Sequence, residues 1–107
     1  MADAPPTLEL TVSTQDDETV LRAAGELDVN TAPELREQLA RLINDGVQRI
    51  AVDLAEVSFV DSTALSVLVS ALKRLRQNNG DLELASPTPS VRRVFEITGL
   101  TRLFTIR

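Results

Sequence analysis

The chain has 107 residues, of which 43% are hydrophobic and 25% charged, and it contains no cysteine, histidine, tryptophan or tyrosine. This length predicts a single domain over residues 1–107, and the lack of cysteine agrees with a reducing cytoplasm. A formal charge of −5 opposes contact with nucleic acid. Residues 1–7 do not resemble a signal peptide, and the apolar stretch 64–72 is too short to span a bilayer. We therefore expect a cytoplasmic domain with a flexible N-terminus, no membrane segment and no nucleic-acid partner.

The N-terminal part has the pattern of a β-hairpin. Apolar and polar residues alternate over residues 7–13, which is typical of a half-buried strand. Residues 15–18 are polar and acidic and predict a turn, and residues 19–24 form the second strand candidate. Residues 25–28, which read Gly-Glu-Leu-Asp, are expected to close this unit.

A first helix is marked at both ends. Thr31 with Glu34 three residues later is the pattern of a capping box, and Pro33 fits the first turn. Gly46 is expected to end the helix. Four apolar residues recur at helical spacing and predict one buried stripe: Leu35, Leu39, Leu42 and Ile43.

A buried strand and a long helix follow. Apolar residues over 50–54 predict a strand covered on both faces, and the apolar run continues to Val60. The second helix is predicted from Ser62 or Thr63 to about Asn79, with Gly80 as its stop signal. Its first turn places the Ser62 hydroxyl where it either caps the helix or accepts a phosphate.

One flank of the second helix is more apolar than contact with a sheet requires. Ala64, Val67 and Ala71 lie beside the predicted core stripe at about 100° per residue. Two interpretations are open at this point. The flank either packs on a neighbouring helix, with the third helix as the expected neighbour, or contacts a partner protein.

The C-terminal part contains a strand, a helix and a last short strand. Residues 82–85 form the strand candidate, Thr88 is expected to cap the third helix, and Gly99 to end it. Apolar residues over 103–106 predict the final strand. A hairpin followed by alternating helices and strands defines an α/β fold with a mixed β-sheet and helices packed on it.

Three acidic residues are expected at the ends of strands, where sites commonly form in α/β sheets. Asp28, Asp53 and Asp61 together could hold Mg²⁺ and accept a phosphoryl group on a carboxylate. The alternative is that they terminate strands and cap turns. Without histidine, cysteine or tyrosine the usual catalytic groups are absent, and no lysine stands at a strand end. We therefore expect no catalytic residue, no resident metal and no cofactor.

Four segments, in this order and spacing, resemble the anti-sigma factor antagonist family of STAS domains. The resemblance extends from about Leu8 to Phe104, and its most specific part is the Asp-Ser-Thr element before the long helix. The segments are Gly25–Asp28, Val52–Leu54, Phe59–Leu65 and Phe95–Leu100. The resemblance implies a STAS-like mixed sheet and a regulatory function without enzymatic activity.

The resemblance also implies a switch by phosphorylation. The unphosphorylated protein would bind an anti-sigma factor, often also a serine kinase, and so free a sigma factor. Phosphorylation of Ser62 would release the antagonist, and a serine phosphatase would restore it. Asp28 would shape the docking surface, Asp61 would position the Ser62 loop, and Thr63 is the neighbouring hydroxyl. The apolar flank of Ala64, Val67 and Ala71 is expected to extend this partner surface.

The sequence departs from the family pattern in two respects. Ala64 stands where many antagonists have glycine, which is expected to crowd the loop behind Ser62. The family's final helix after the last strand is expected to be absent, since the sequence ends at Arg107. An interaction module of a stress-sensing, lipid-trafficking or anion-transport assembly remains the alternative function for such a domain.

Overall fold

The computed structural model describes residues 8–107, so the predicted flexible N-terminus and the first residue of the predicted first strand lie outside the described part. Five strands, three α-helices and a short 3-10 helix follow in chain order. They are β1 (Leu8–Gln15), β2 (Glu18–Leu27), α1 (Ala32–Asn44), β3 (Arg49–Val60), α2 (Ser62–Gln77), β4 (Asp81–Ala85), α3 (Pro89–Ile97), the 3-10 helix (Leu100–Arg102) and β5 (Thr105–Ile106).

The strands form one sheet in the order β1-β2-β3-β4-β5. The first pair is antiparallel, and the other three pairs are parallel. A helix connects each of the parallel neighbours, as parallel pairing requires a crossover connection. The mixed α/β fold predicted from the sequence is therefore confirmed.

The hairpin turn consists of two acidic residues in the left-handed backbone region. Asp16 has φ 49° and Asp17 has φ 68°, which matches a two-residue turn suited to the twist of a hairpin. The second strand is longer than predicted. Gly25, Glu26 and Leu27 do not close the unit but continue β2, because they pair with the last part of β3.

The helices cover one face of the sheet. Leu21, Val52 and Leu84 on this face join the buried residues of all three α-helices in a single core cluster. The opposite face carries polar residues, including the ion pair between Arg22 and Glu56. An antiparallel hairpin tolerates this one-sided burial, since its alternating sequence supplies a polar face to solvent.

The start of α1 differs from the capping box predicted at Thr31. The Thr31 hydroxyl makes no cap hydrogen bond. It donates instead to the backbone carbonyl of Glu26 at 2.7 Å and accepts the backbone N–H of Asp28 at 2.9 Å. Thr31 is buried. Its hydroxyl connects the end of β2 to the start of α1 and does not cap the helix.

The position of Asp53 also differs from the prediction. β3 is one strand of twelve residues, so Asp53 lies within it and not at its end. The pairing with β2 shifts register between Arg22 and Ala24 because β3 contains an extra residue there. Asp53 Oδ1 accepts the backbone N–H of Ala55 at 3.0 Å, which satisfies a group beside this bulge.

The end of α2 depends on two residues with separate roles. The helix ends at Gln77, and Asn79, not Gly80, takes the left-handed conformation with φ 63°. Gly80 is needed for space, because a Cβ at this position would lie 2.1 Å from the carbonyl oxygen of Gln48. The predicted stop near Gly80 is correct, but glycine is required there for close backbone approach and not for the left-handed conformation.

The C-terminal part follows the prediction closely. Thr88 Oγ1 accepts the backbone N–H of Val91 at 3.3 Å and caps α3, and Gly99 follows the helix with φ 78°. Phe95 on α3 meets Phe104 edge to face, with ring centroids 5.9 Å apart. This aromatic contact holds α3 against the segment that leads into β5.

Candidate functional site

The N-terminus of α2 is capped by Asp61 and not by Ser62. Asp61 Oδ1 accepts the backbone N–H of Ala64 at 3.1 Å, and Asp61 has an extended backbone with φ −111° and ψ 178°. Ser62 is therefore the first residue inside the helix, so the interpretation of Ser62 as the cap is wrong. An aspartate is as good a cap as a serine, and here it precedes the serine directly.

Asp61 also connects two loops. Its other carboxylate oxygen, Oδ2, accepts the backbone N–H of Val29 at 3.0 Å. Its own N–H donates to the carbonyl of Leu27 at 3.0 Å. Through these contacts Asp61 joins the β3–α2 junction to the loop between β2 and α1. The prediction that Asp61 positions the Ser62 loop has this geometric basis.

Asp28 stabilises its own loop. Its Oδ1 accepts the backbone N–H groups of Asn30 at 2.9 Å and Thr31 at 3.0 Å. Within residues 8–107, no hydrogen bond joins Asp28 to Ser62. The β2–α1 loop thus takes a defined shape because the Asp28 carboxylate accepts hydrogen bonds from backbone N–H groups within it. Asp61 connects the loop to α2.

Ser62 has an accessible hydroxyl. Its side chain is exposed, whereas Thr63 is half-buried. Across the described part of the chain, no hydrogen bond involves the Ser62 Oγ, while the Ser62 carbonyl accepts the hydroxyl of Ser66 at 3.0 Å. The backbone N–H groups of the first helical turn add positive potential around this hydroxyl. A hydroxyl of this kind can accept a phosphoryl group without breaking an existing side-chain contact.

The apolar flank predicted to meet a partner is buried instead. Ala64, Val67 and Ala71 are only 0%, 4% and 5% exposed. Val67 and Ala71 border a narrow cleft against α1, opposite Leu39 and Ile43. The neighbour is therefore α1 and not the third helix, and in this structure the three side chains offer no docking surface. Ala64 is fully buried, so its methyl group belongs to the core cluster and not to the surface beside Ser62.

The other flank of α2 borders an open groove that begins at Ser62. Its volume is about 440 Å³, and it separates α2 from the segment after α3. Leu65 and Val69 contribute its apolar lining from α2, with Thr98 and Leu100 opposite. Leu65 is only 6% exposed and belongs to the core cluster, so the half-buried Val69 and Leu100 supply the accessible apolar part of this groove.

Three large apolar side chains that the sequence did not predict to be exposed lie at the surface. Val29 is 61% exposed in the loop held by Asp61, Phe59 is 49% exposed near the end of β3, and Ile97 is 74% exposed at the end of α3. The apolar run that ends at Val60 predicts a buried Phe59, and for this residue the prediction is wrong. No pattern in the sequence predicts the exposure of Val29 and Ile97.

The carboxylates do not assemble into a metal centre. Asp53 lies within β3, and Asp28 and Asp61 accept separate backbone N–H groups. Over the residues that the structure describes, no three acidic groups are close enough to hold a metal ion. The arrangement of three acids at one sheet edge, on which the Mg²⁺ alternative depended, is therefore wrong. No helix in residues 8–107 has the length and apolar character to cross a membrane.

Comparisons with known proteins agree with this fold. The family model for the STAS domain matches residues 9–107. The anti-sigma-B factor antagonist of Staphylococcus aureus is 43% identical over 96 residues, which cover 90% of this chain and 89% of the relative. The chain therefore belongs to the STAS domain family, as the resemblance of its four segments predicted.

Solved structures give the same result. An anti-sigma factor antagonist from Mycobacterium paratuberculosis has a TM-score of 0.86 at 28% identity, with 98% of this chain and 89% of that chain covered. The anti-sigma factor antagonist SpoIIAA in its unphosphorylated form has a TM-score of 0.79 at 25% identity, with 92% and 88% covered. The similarity thus extends over nearly the whole length of each protein.

Proposed function

We propose that this protein is an anti-sigma factor antagonist that acts by binding. In the unphosphorylated form it binds an anti-sigma factor in the cytoplasm and thereby frees a sigma factor. The names of the relatives support the antagonist function, since the Staphylococcus aureus relative covers nearly all of this chain. The protein is then a regulator and a kinase substrate, and it performs no catalysis of its own.

The observation that supports the switch is the free hydroxyl of Ser62. A serine kinase, contributed by the anti-sigma factor, transfers the γ-phosphoryl group of ATP to Ser62 Oγ; ADP leaves, and the hydroxyl proton passes to the kinase. Because Asp61 supplies the cap, this reaction leaves the Ala64 N–H bonded and the helix start intact. A serine phosphatase reverses the modification.

The phosphate acts on the partner and not on the fold. It adds a charge of about −1.5 to −2 at the first helical position, where the remaining free N–H groups and the helix dipole tolerate an anion. The same charge opposes an apolar partner surface that must lose water on docking, and it stands beside the Asp61 carboxylate. Phosphorylation should therefore weaken binding while α2 stays folded.

The proposed docking surface is centred on Ser62. Asp28 and Asp61 shape this surface through their hydrogen bonds to the backbone of the β2–α1 loop. Thr63 borders the surface on the helix. The surface extends along the groove that Val69 and Leu100 border, in place of the buried flank of Ala64, Val67 and Ala71. An exposed apolar groove next to a charge-switchable hydroxyl suits a partner that binds only the unmodified form.

Phosphorylation of Ser62 is tested by incubating the protein with a candidate anti-sigma factor and ATP. Intact mass and fragment mapping locate the phosphate, and calorimetry measures affinity before and after the reaction. The matched control is Ser90→Ala, which removes an exposed hydroxyl in the first turn of another helix, α3. Ser62→Ala should bind the partner and take up no phosphate. The control variant should bind the partner and also be phosphorylated.

Two results would contradict the proposed switch directly, and a third would leave antagonism without it. One is a phosphate that maps to another residue while Ser62 remains unmodified. The other is equal partner affinity of the phosphorylated and unphosphorylated proteins. Tight partner binding without any phosphorylation by that partner would support antagonism alone and would overturn the switch at Ser62.

A further inference from the structure

The outer edge of β1 is an unpaired edge of the sheet. β1 pairs with β2 over eight consecutive residues, and no strand within residues 8–107 pairs with its other edge. Alternate N–H and C=O groups along this edge therefore point away from the protein. Such an edge is a template for another strand.

β1 lacks the features that commonly protect edge strands. Its sequence from Leu8 to Gln15 contains no lysine, arginine or proline, and its pairing with β2 has no bulge. Glu9 is its single charged residue, and threonine and valine favour the strand conformation. The strand has eight residues, whereas protected edges are often very short.

An apolar strip follows this edge on the face that the helices cover. Leu10 is half-buried, and Val12 is 38% exposed although it lies on the same face as Leu8 and Leu21. Beside Leu10, the outer side of α1 forms a shallow groove with Glu37 and Arg41 on its rim. The sheet edge thus exposes apolar side chains that α1 does not reach.

We propose that the occupant of this edge is β1 of a second copy of the chain, added antiparallel with Thr11 at the two-fold axis. In this register Leu10 lies opposite Val12 of the other copy, so each copy covers the apolar strip of its neighbour. Residues opposite one another in a sheet share a face, which this register satisfies. The polar face then pairs Thr11 with Thr11 of the other copy.

The side-chain pairs across the axis favour this register. Glu9 lies opposite Ser13 of the second copy, so the two glutamates are kept apart. Seven of the eight strand residues pair across the axis. Centring on Val12 would pair as many residues but would place Leu10 opposite Thr14. Centring on Leu10 would pair fewer residues and would bring the two glutamates closer together. The self-complementary edge therefore needs no partner other than this chain.

This interaction is separate from the proposed switch. Ser62 follows β3, whereas β1 is separated from β3 by β2, at about 4.8 Å per strand. The two-fold dimer extends the sheet away from β3 and leaves the α2 N-terminus accessible in both copies. Dimerisation can thus be measured with the unphosphorylated protein alone, and its failure would not affect the proposed function.

The association is tested by sedimentation velocity from micromolar to millimolar protein. We expect a concentration-dependent dimer that Val12→Lys weakens at least about tenfold, since each copy would then place a charge beside Leu10 of the other. Gln77→Lys is the matched control, because it introduces the same charge at an exposed position on α2, far from β1. A monomer at every concentration would overturn the proposal.

The register is tested with single cysteines, since the chain contains none. Thr11→Cys places the two sulfur atoms across the axis at a separation that a disulfide can span. Ser13→Cys, on the same face of the same strand, would lie about 13 Å from its symmetry mate. Selective oxidation of the Thr11→Cys dimer supports the register. Equal cross-linking of both variants, or cross-linking of Ser13→Cys alone, contradicts it.

Discussion

Asp61 accepts the backbone N–H of Val29 at 3.0 Å, and this bond joins the loop after β2 to the start of α2. The second oxygen of the same carboxylate caps α2 through Ala64. One side chain therefore fixes both the helix that presents Ser62 and the loop that presents an exposed valine. The geometry of the proposed docking surface depends on a carboxylate that need not touch the partner.

Asp61→Asn separates the two roles of this carboxylate. Asparagine is an equally good helix cap but has one acceptor oxygen, so either Val29 or Ala64 loses its partner. We expect a loss of about 0.5–1.5 kcal/mol in the free energy of unfolding, measured with urea. Asp61→Ala should cost more, about 1–2 kcal/mol. Faster amide exchange at Val29 in the asparagine variant would identify the broken bond, and unchanged exchange in both variants would contradict this role.

Ser62→Ala should leave stability almost unchanged. The Ser62 hydroxyl makes no hydrogen bond with any residue in the range 8–107, and the cap is Asp61. The free energy of unfolding should shift by no more than about 0.5 kcal/mol. A loss as large as that of Asp61→Ala would show that serine contributes to the cap after all. The comparison is made by urea denaturation under one set of conditions.

Val67→Lys is expected to destabilise the protein and so cannot serve as an interface test. Val67 is 4% exposed, and a lysine there would have to place its charge in the cleft between α2 and α1. We expect a loss of at least about 2 kcal/mol. Ser66→Lys, on the exposed side of the same turn, is the control and should cost little. Equal stability of the two variants would contradict the burial of this flank.

Gly80→Ala should be more damaging than Gly99→Ala. Both substitutions are made near a helix end, and a Cβ at Gly80 would collide with the Gln48 carbonyl, whereas nothing lies within 4 Å of a Cβ at Gly99. Gly99→Ala therefore costs only the left-handed conformation, about 1–2 kcal/mol. We expect a larger loss for Gly80→Ala, visible in thermal denaturation. The reverse order would contradict the close approach.

Arg107 contributes a small, salt-dependent stabilisation. It bonds Glu18 at 2.8 Å and lies 3.3 Å from Glu83, and the hydrogen bond to Glu18 raises the pKa of the Arg107 guanidinium. A raised pKa means that this contribution is complete below the ordinary arginine pKa and is lost only at higher pH, so arginine ionisation adds no pH dependence near neutrality. Because the pair is about half exposed, Arg107→Gln should cost less than about 1 kcal/mol, and molar salt should reduce the difference.

The sequence predicted the elements better than it predicted the contacts at their ends. Thr31 and Thr88 both have the pattern of a helix cap, yet only Thr88 caps its helix. The difference is tertiary, because the carbonyl of Glu26 lies beside Thr31 and takes its hydroxyl. No local pattern contains the position of a carbonyl five residues earlier in a neighbouring strand.

The same limitation affected the candidate site. Asp61 and Ser62 are both competent caps, and only the exact end of β3 decides which one precedes the helix. The flank with Val67 was recognised as unusually apolar, but its neighbour depends on which side of α2 the chain places α1. The motif thus indicates candidate residues for the proposed switch, whereas the surface beside them could be described only from the three-dimensional arrangement of the helices.

The half-exposed ring of Phe59 has a spectroscopic use. The chain contains neither tryptophan nor tyrosine, so it has no intrinsic emission when excited at the red edge of indole absorption. Phe59 lies two residues before Asp61 and is 49% exposed, which leaves room for a larger ring. A tryptophan introduced there would be the only side chain excited at that wavelength, and its emission would report events near the α2 N-terminus in real time without any attached dye.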